Sequence, residues 1–224
     1  MNNLNHIAFI MDGNGRWGLK KKRNRNYGHL AGVKTVQKII EASIFFKIPI
    51  VSFYVFSTEN WRRPKSEINY LFNLINVYFN REIKNIIKNN IKVVFSGRLK
   101  NLPSKIKKIL KNVTNKTKKN NRLSINLAIN YGSKNEVLDA LKKINYKSQK
   151  ITEENVNKNL YSNLSFPDIL VRTGGQKRLS NFMLWQLAYT EIFFLDKLWP
   201  DFKKNDLKKI INKYKKIKRN FGGV

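Results

Sequence analysis

Cysteine is absent from this 224-residue chain, which excludes a disulfide framework, a thiolate metal site and a cysteine nucleophile and fits a reducing cytosol. Long apolar runs are missing too, with none reaching the ~18 residues that a membrane span requires. The opening Met1-Asn2-Asn3-Leu4-Asn5-His6 lacks the charged-then-apolar order of a secretory leader. No Pro/Gly/Ser-rich linker and no internal repeat divides the chain, so the expectation is one domain over residues 1–224, in the cytoplasm. Acidic residues are scarce: 14 Asp and Glu face 45 Lys and Arg, a formal net charge of +31.

That charge has three readings. A basic surface can follow a nucleic-acid backbone, it can attract an anionic membrane or a polyanionic small substrate, or it can be compositional. Lys, Asn and Ile recur together in Lys84-Asn85-Ile86-Ile87-Lys88 and in Lys116-Thr117-Lys118-Lys119-Asn120. The excess is spread along the chain, which favours the compositional reading, and no nucleic-acid partner is expected.

What is present in quantity is apolar material, 42% of the residues, enough for a substantial core. Short β-branched runs alternate with longer segments of helical period, the pattern of a mostly parallel six-stranded α/β sheet flanked by helices. The runs predict strands at Ile7–Met11, Ile50–Phe56, Lys92–Ser96, Ser124–Asn130, Ile169–Val171 and Glu191–Phe194. Helices are predicted at Gly32–Phe46, Ser66–Lys88, Lys105–Asn120, Ser133–Lys143, Glu153–Tyr161 and Asn205–Arg219. Thr152, followed by Glu153 and Glu154, reads as a helix N-cap. Ligands of such sheets bind beyond the carboxyl ends of the strands, and three polar segments fall there.

Met11-Asp12-Gly13-Asn14-Gly15-Arg16-Trp17 follows the first strand. Its glycines let the backbone approach a ligand, and the N–H groups opening the next helix can cradle an anion. Asp12 is placed to hold a hard cation such as Mg²⁺ together with phosphate oxygens. The Gly-Lys-Ser/Thr ending of a P-loop and the third glycine of a dinucleotide fingerprint are both missing, and an ordinary glycine turn stands as the alternative. Arg25, Gly28 and His29 come next and can neutralise phosphate charge, although a single histidine is more often structural.

Ser57, Glu59, Asn60, Trp61 and Arg63 follow the second strand, on a loop that either binds a ligand or caps a helix. Arg172, Arg178 and Ser180 surround Gly174 and Gly175 after the fifth strand and suit a second anion. Glu191, opening the sixth strand, is expected to face the same cleft. Two anion sites, each with a carboxylate, imply two phosphorylated substrates and a metal without naming the reaction.

Taken in order along the chain, these stretches resemble the cis-prenyltransferase family, and within it the bacterial undecaprenyl diphosphate synthases. The resemblance rests on His6 to Trp17, Gly28 to Gly32, Phe56 to Trp61 with Arg63-Pro64, and Asn126 to Gly132. It continues through Asp168 to Thr173, Arg178 to Glu191, Trp199 to Phe202 and Phe221-Gly222-Gly223. It implies a homodimer, with a hydrophobic tunnel in each subunit, that condenses isopentenyl diphosphate onto an allylic diphosphate. By position, Asp12 would bind Mg²⁺, with Glu191 as the second metal-associated carboxylate. Gly13, Asn14, Gly15, Arg16, Trp17 and Arg25 would hold the allylic diphosphate. Arg172, Arg178 and Ser180 would hold isopentenyl diphosphate, Ser57, Glu59, Asn60, Trp61 and Arg63 match a mobile loop, and His29 and Asn60 are candidates for assisting proton or diphosphate departure. Residues of Phe45–Phe56 and Leu71–Phe79 would wall the tunnel, or are simply core. Peripheral contact with an anionic membrane would suit a lipid product.

Two departures from the family pattern bear on one substrate. Arg172-Thr173-Gly174-Gly175-Gln176 stands where Arg-Thr-Ser-Gly-Glu is usual, and Asn220 stands where an arginine thought to reach across the dimer is usual, leaving Arg219 as the possible substitute.

Overall fold

Ile7 and Phe9 pack into one hydrophobic cluster, while Ala8 and Ile10 between them pack into another. A strand with apolar residues on both sides must be covered on both faces, which is the condition of a parallel sheet. The computed structural model, which describes residues 2–219, shows that sheet. Its strands are β1 (His6–Ile10), β2 (Ile50–Ser57), β3 (Ile91–Ser96), β4 (Leu123–Tyr131), β5 (Ile169–Arg172) and β6 (Glu191–Phe194). Their order is β3-β4-β2-β1-β5-β6, with all neighbours parallel.

The helices are α1 (Asn14–Lys22), α2 (Arg25–Phe45), α3 (Lys65–Lys88), α4 (Ser104–Thr117), α5 (Ser133–Tyr146), α6 (Glu153–Asn159) and α7 (Lys204–Lys216). Side chains of α2, α3, α4 and α7 share the large cluster with Phe9 and Phe53. The opposite face is covered by Phe182, Met183 and Leu187 from the segment after β5, and α5 and α6 pack on each other through Ala140, Ile144, Val156 and Leu160. From β1 the chain passes to β2, then to the edge strand β3 and back to β4 between them, before crossing to the other side of β1 for β5 and β6. This places a reversal of strand order at β1, where such sheets leave a crevice.

All six expected strands are present, and Thr152 caps α6 by accepting a hydrogen bond from Asn155 N at 3.2 Å. The helices differ more. The expected helix at Gly32 begins at Arg25, and the helix opening after Gly13 is a separate nine-residue α1.

A polar chain crosses the buried sheet near its amino ends. The Ser165 carbonyl accepts from His6 Nδ1 at 2.5 Å, so the neutral ring offers Nε2 as acceptor to the Ser52 hydroxyl at 2.7 Å. Ser52 Oγ accepts from Asn126 Nδ2 at 3.1 Å, and Asn126 Oδ1 accepts from Ser96 Oγ at 2.8 Å. The donors and acceptors match only while His6 is neutral. Burial pushes its pKa down from 6.5 to about 4, against the raising effect of the Ser165 hydrogen bond and of Asp168. Because the folded pKa lies below the unfolded one, the unfolded chain binds the extra proton first. The contribution is complete above about pH 6.5 and is lost as pH falls through about 4. In chemical denaturation between pH 7 and pH 4, His6→Asn is expected to show a shallower loss of stability than the wild type, by up to about 3 kcal/mol; equal slopes would contradict this account.

Candidate active site

At the carboxyl end of β1 the chain turns upward through Gly13, whose φ of 109° lies in the left-handed region that favours glycine. Helix α1 starts immediately afterwards with no side-chain cap, so its opening N–H groups at Asn14, Gly15 and Arg16 are available to an anion. Helix α1 lies tightly on α2. A Cβ at Gly28 would stand 1.8 Å from the Asn14 carbonyl oxygen, which is why this position carries no side chain. Arg25, at the start of α2, lays its guanidinium over Gly15, with Nη1 2.6 Å from where a Cβ there would be.

Behind Arg25 sits a residue that the sequence reading missed. Glu67, in the first turn of α3, is 8% exposed. Its carboxylate accepts from Arg25 Nε at 3.1 Å and Nη2 at 3.3 Å, from Arg63 Nη1 at 3.0 Å and from His29 Nε2 at 3.1 Å. Burial alone would raise the Glu67 pKa, but hydrogen bonds and charge from Arg25, with Arg63 and His29, outweigh it and hold the pKa below the usual value. The His29 pKa is lowered, chiefly by burial, against the raising influence of Glu67. The i,i+4 spacing of Arg63 and Glu67 was the one sequence signal that could have found it.

The second cationic group is built around Arg172, which ends β5 and is 3% exposed. Its Nη2 donates to Asp12 Oδ2 at 2.8 Å, and its Nη1 donates to the Arg178 carbonyl at 2.5 Å and Ser180 Oγ at 2.8 Å. Nε is buried without a partner. Arg16 Nη2 donates to Asp12 Oδ1 at 3.2 Å and to the Gly174 carbonyl at 2.7 Å. Asp12 thus stands between two arginines at the crevice, its side chain 27% exposed. The donor set fits a hard cation held by one carboxylate and completed by phosphate oxygens and water. Among the described residues no cluster of three or more His, Asp or Glu could hold a metal by itself.

The loop after β2 is a short 3₁₀ turn (Thr58–Arg62) closed by a reciprocal cap between Ser57 and Asn60, with Ser57 N donating to Asn60 Oδ1 at 3.2 Å. The capping reading holds, and Ser57, Asn60 and Arg63 also line the cavity. Trp61 packs on Phe56 and Phe72 and donates from Nε1 to Asn130 Oδ1 at 2.8 Å. Glu59 accepts from Asn181 Nδ2 at 2.9 Å, tying this loop to the segment after β5.

These groups surround the mouth of a cavity of about 420 Å³ that runs between the sheet and α2 and α3. Asp12, Gly13, Asn14, Gly15, Arg16, Arg25, His29, Arg172 and Ser180 line it, together with Ser57, Asn60 and Arg63. Its interior is apolar, with Val36, Val55, Leu71, Ile75, Phe79 and Val93 among its walls. The Leu71–Phe79 stretch therefore does wall the cavity. Phe45 does not: it is 66% exposed under Lys204, whose Nζ lies 3.2 Å from the ring centroid.

Several expected site residues stand apart. Trp17 stacks on Tyr27 and donates to Asp201 Oδ1 at 2.8 Å, outside the lining. The Arg178 side chain is exposed and donates to Gln176 Oε1 at 2.6 Å. Glu191 does not share the cleft with Asp12. It pairs in register with Ile169 at the start of β5, whereas the Asp12 partner Arg172 ends that strand. Three residues of strand rise separate the two levels by about 10 Å, so within one subunit Glu191 cannot bind the ion held by Asp12. Arg219 lies 3.8 Å from Glu191 and 3.6 Å from Asp168, and it donates to the Tyr189 carbonyl and Tyr214 hydroxyl. Asn220 and Phe221-Gly222-Gly223 lie outside the described residues.

A parallel sheet whose strand ends gather arginines and a carboxylate over an apolar cavity makes a site suited to an anionic head group with an apolar chain behind it. Comparison with known proteins agrees. Residues 10–222 match the family model "Putative undecaprenyl diphosphate synthase". The chain is 43% identical to an "Isoprenyl transferase" of Fusobacterium nucleatum, covering 98% of this chain and 96% of that one. Another from Halalkalibacterium halodurans is also 43% identical, over 98% and 89% of the two chains. Among solved structures, a "probable undecaprenyl diphosphate synthase" from Campylobacter jejuni superposes with a TM-score of 0.87 at 38% identity, covering 99% of this chain and 100% of that one. Lavandulyl diphosphate synthase from Lavandula x intermedia, in complex with dimethylallyl diphosphate, gives 0.92 at 28% identity, covering 97% and 98%. The chain belongs to the undecaprenyl diphosphate synthase family of cis-prenyltransferases and is a prenyltransferase.

Since Gly28 sets the distance between α1 and α2, Gly28→Ala must push the helices apart. The expected cost is roughly 1–3 kcal/mol of overpacking, seen as a lower Tm, together with weaker binding of a diphosphate at the α1 N-terminus. An unchanged Tm would refute the close approach.

Proposed function

We propose that this enzyme extends an allylic diphosphate, with farnesyl diphosphate as primer, by successive cis additions of isopentenyl diphosphate to a long undecaprenyl-type product, a carrier lipid for cell-wall sugars. The observation that carries this reading is the continuity of the cavity, whose mouth is set with Arg25, Arg63, Asp12 and Arg172 and whose interior is hydrocarbon. The allylic diphosphate sits on the α1 N–H groups and Arg25, with its chain in the apolar interior. Isopentenyl diphosphate sits against Arg172 and Ser180, with Arg178 above. Two fixed anion sites orient the alkene toward the allylic carbon, which converts a bimolecular encounter into a positioned one. Asp12 is the residue that would hold Mg²⁺ with the substrate's phosphate oxygens. When bound, that ion stabilises the charge developing on the departing diphosphate. The arginines contribute fixed positive charge at the same place, and the apolar walls keep water from the allylic cation. Asn60, held by the cap with Ser57, and His29, neutral beside Glu67, are the polar groups near enough to the mouth to take part in proton or diphosphate departure.

A shorter product is the second reading, favoured by the likeness to lavandulyl diphosphate synthase. A homodimer and contact with an anionic bilayer complete the proposal, from the family resemblance and from the +31 charge. Sedimentation velocity and liposome co-sedimentation test them, and a monomer or unbound protein at low salt would remove each in turn.

The deciding assay supplies farnesyl diphosphate, labelled isopentenyl diphosphate and Mg²⁺ and resolves the lipids by length. We expect a ladder ending in one long product, reduced at least ~100-fold by Asp12→Ala. Products that stop after one or two additions would establish the shorter-chain reading. No incorporation at any isopentenyl diphosphate concentration would overturn catalysis and leave a partner-subunit role.

A further inference from the structure

Glu67 binds no substrate in the scheme above, yet it draws together three groups of the first anion site. Two are on α2 and one is on the loop after β2, so a single buried carboxylate joins three elements: α2, that loop and α3. Burying it is costly, and a well-packed apolar side chain would serve stability as well or better. What an apolar residue could not do is aim the arginines. Glu67 takes Nε and Nη2 of Arg25 and leaves Nη1 against Gly15, in the first turn of α1 where an anion would lie. It takes Nη1 of Arg63, whose side chain, 33% exposed, lines the cavity mouth. By accepting from Nε2 of His29 it also fixes the neutral tautomer in which Nδ1 is the basic nitrogen.

We propose that Glu67 is the positioning residue of the first diphosphate site, orienting Arg25 and Arg63 toward the allylic diphosphate and fixing the His29 tautomer without touching the substrate. The inference rests on the assignment of that site to an allylic diphosphate. It predicts that damage at Glu67 is confined to one of the two substrates, because Arg172, Asp12 and Ser180 make no contact with it.

The test is Glu67→Gln, which keeps the shape but replaces one acceptor oxygen with an NH₂ group facing arginine or histidine donors. With isopentenyl diphosphate withheld, binding of farnesyl diphosphate is measured by calorimetry, and both KM values, kcat and Tm are then determined. We expect farnesyl diphosphate binding to weaken at least tenfold and its KM to rise in step. The isopentenyl diphosphate KM should stay within twofold and Tm within a few degrees, and Glu67→Asp should restore part of the loss. Farnesyl diphosphate binding within twofold of wild type would overturn the proposal. So would an equal rise in both KM values accompanied by a large fall in Tm, since that marks a structural role. Should Glu67→Gln fail to fold, Glu67→Asp carries the same comparison. If the wild type itself does not bind farnesyl diphosphate, the assignment of the site falls, and that result is distinct from a variant matching a binding-competent wild type.

Discussion

The guanidinium of Arg172 is withdrawn almost wholly from water and is neutralised across the crevice by Asp12 at 2.8 Å. A buried charge of this kind persists only when it is paired, and the pairing ties together the carboxyl ends of β1 and β5 at the point where the strand order reverses. Much else follows from that contact. The Asp12 carbonyl receives the Thr173 hydroxyl at 2.8 Å and the Trp199 N–H at 3.0 Å, so the loop before α1 is pinned from two directions. Helix α1 then leaves the sheet with its N-terminus over the crevice, and the segment after β5 is folded back by the bonds from Arg172 to the Arg178 carbonyl and to Ser180.

The two carboxylates of the site play parallel parts. Asp12 lies between Arg16 and Arg172, and Glu67 lies among Arg25, Arg63 and His29. In each group the cations outnumber the anion, so the mouth keeps an excess of positive charge that a diphosphate can complete. Behind the mouth the walls are hydrocarbon, and the lower effective dielectric there strengthens the same interactions. The wider +31 field adds a long-range attraction for small anions, a matter of encounter rate rather than fit.

The sheet was legible because its central strands are buried on both faces and so read as short apolar runs; Ile7–Ile10 and Ile169–Val171 are examples. The extent of helix α1 was not, because Asn14–Lys22 carries glycines and lysines and no apolar stripe. The segment is a helix through its contact with α2, and tertiary packing overrides local propensity there. Most polar residues at the cavity mouth were visible as loop residues at strand ends. Glu67 was not, since it meets Arg25 across 42 residues and His29 across 38. Glu191 was placed wrongly by the same rule that placed the others rightly. In a parallel sheet the first residue of a strand lies at the edge away from the carboxyl ends, so a strand-opening carboxylate belongs on the far side from Asp12.

The departures at the second anion site now have a physical reading. Gln176 accepts a hydrogen bond from Arg178 Nη1 at 2.6 Å, so the amide orients that arginine. It does so without supplying a negative charge. A glutamate there would compete with a diphosphate for Arg178, whereas glutamine leaves the whole of that charge to the ligand at the cost of a weaker anchor. Arg219, by contrast, is no ready substitute for a tail arginine. At 12% side-chain exposure it is enclosed by Asp168, Glu191, Tyr189 and Tyr214 of its own chain. To reach a neighbouring subunit it would have to abandon all of those contacts. Among the described residues, Arg172 and Arg178 supply positive charge on that side of the mouth.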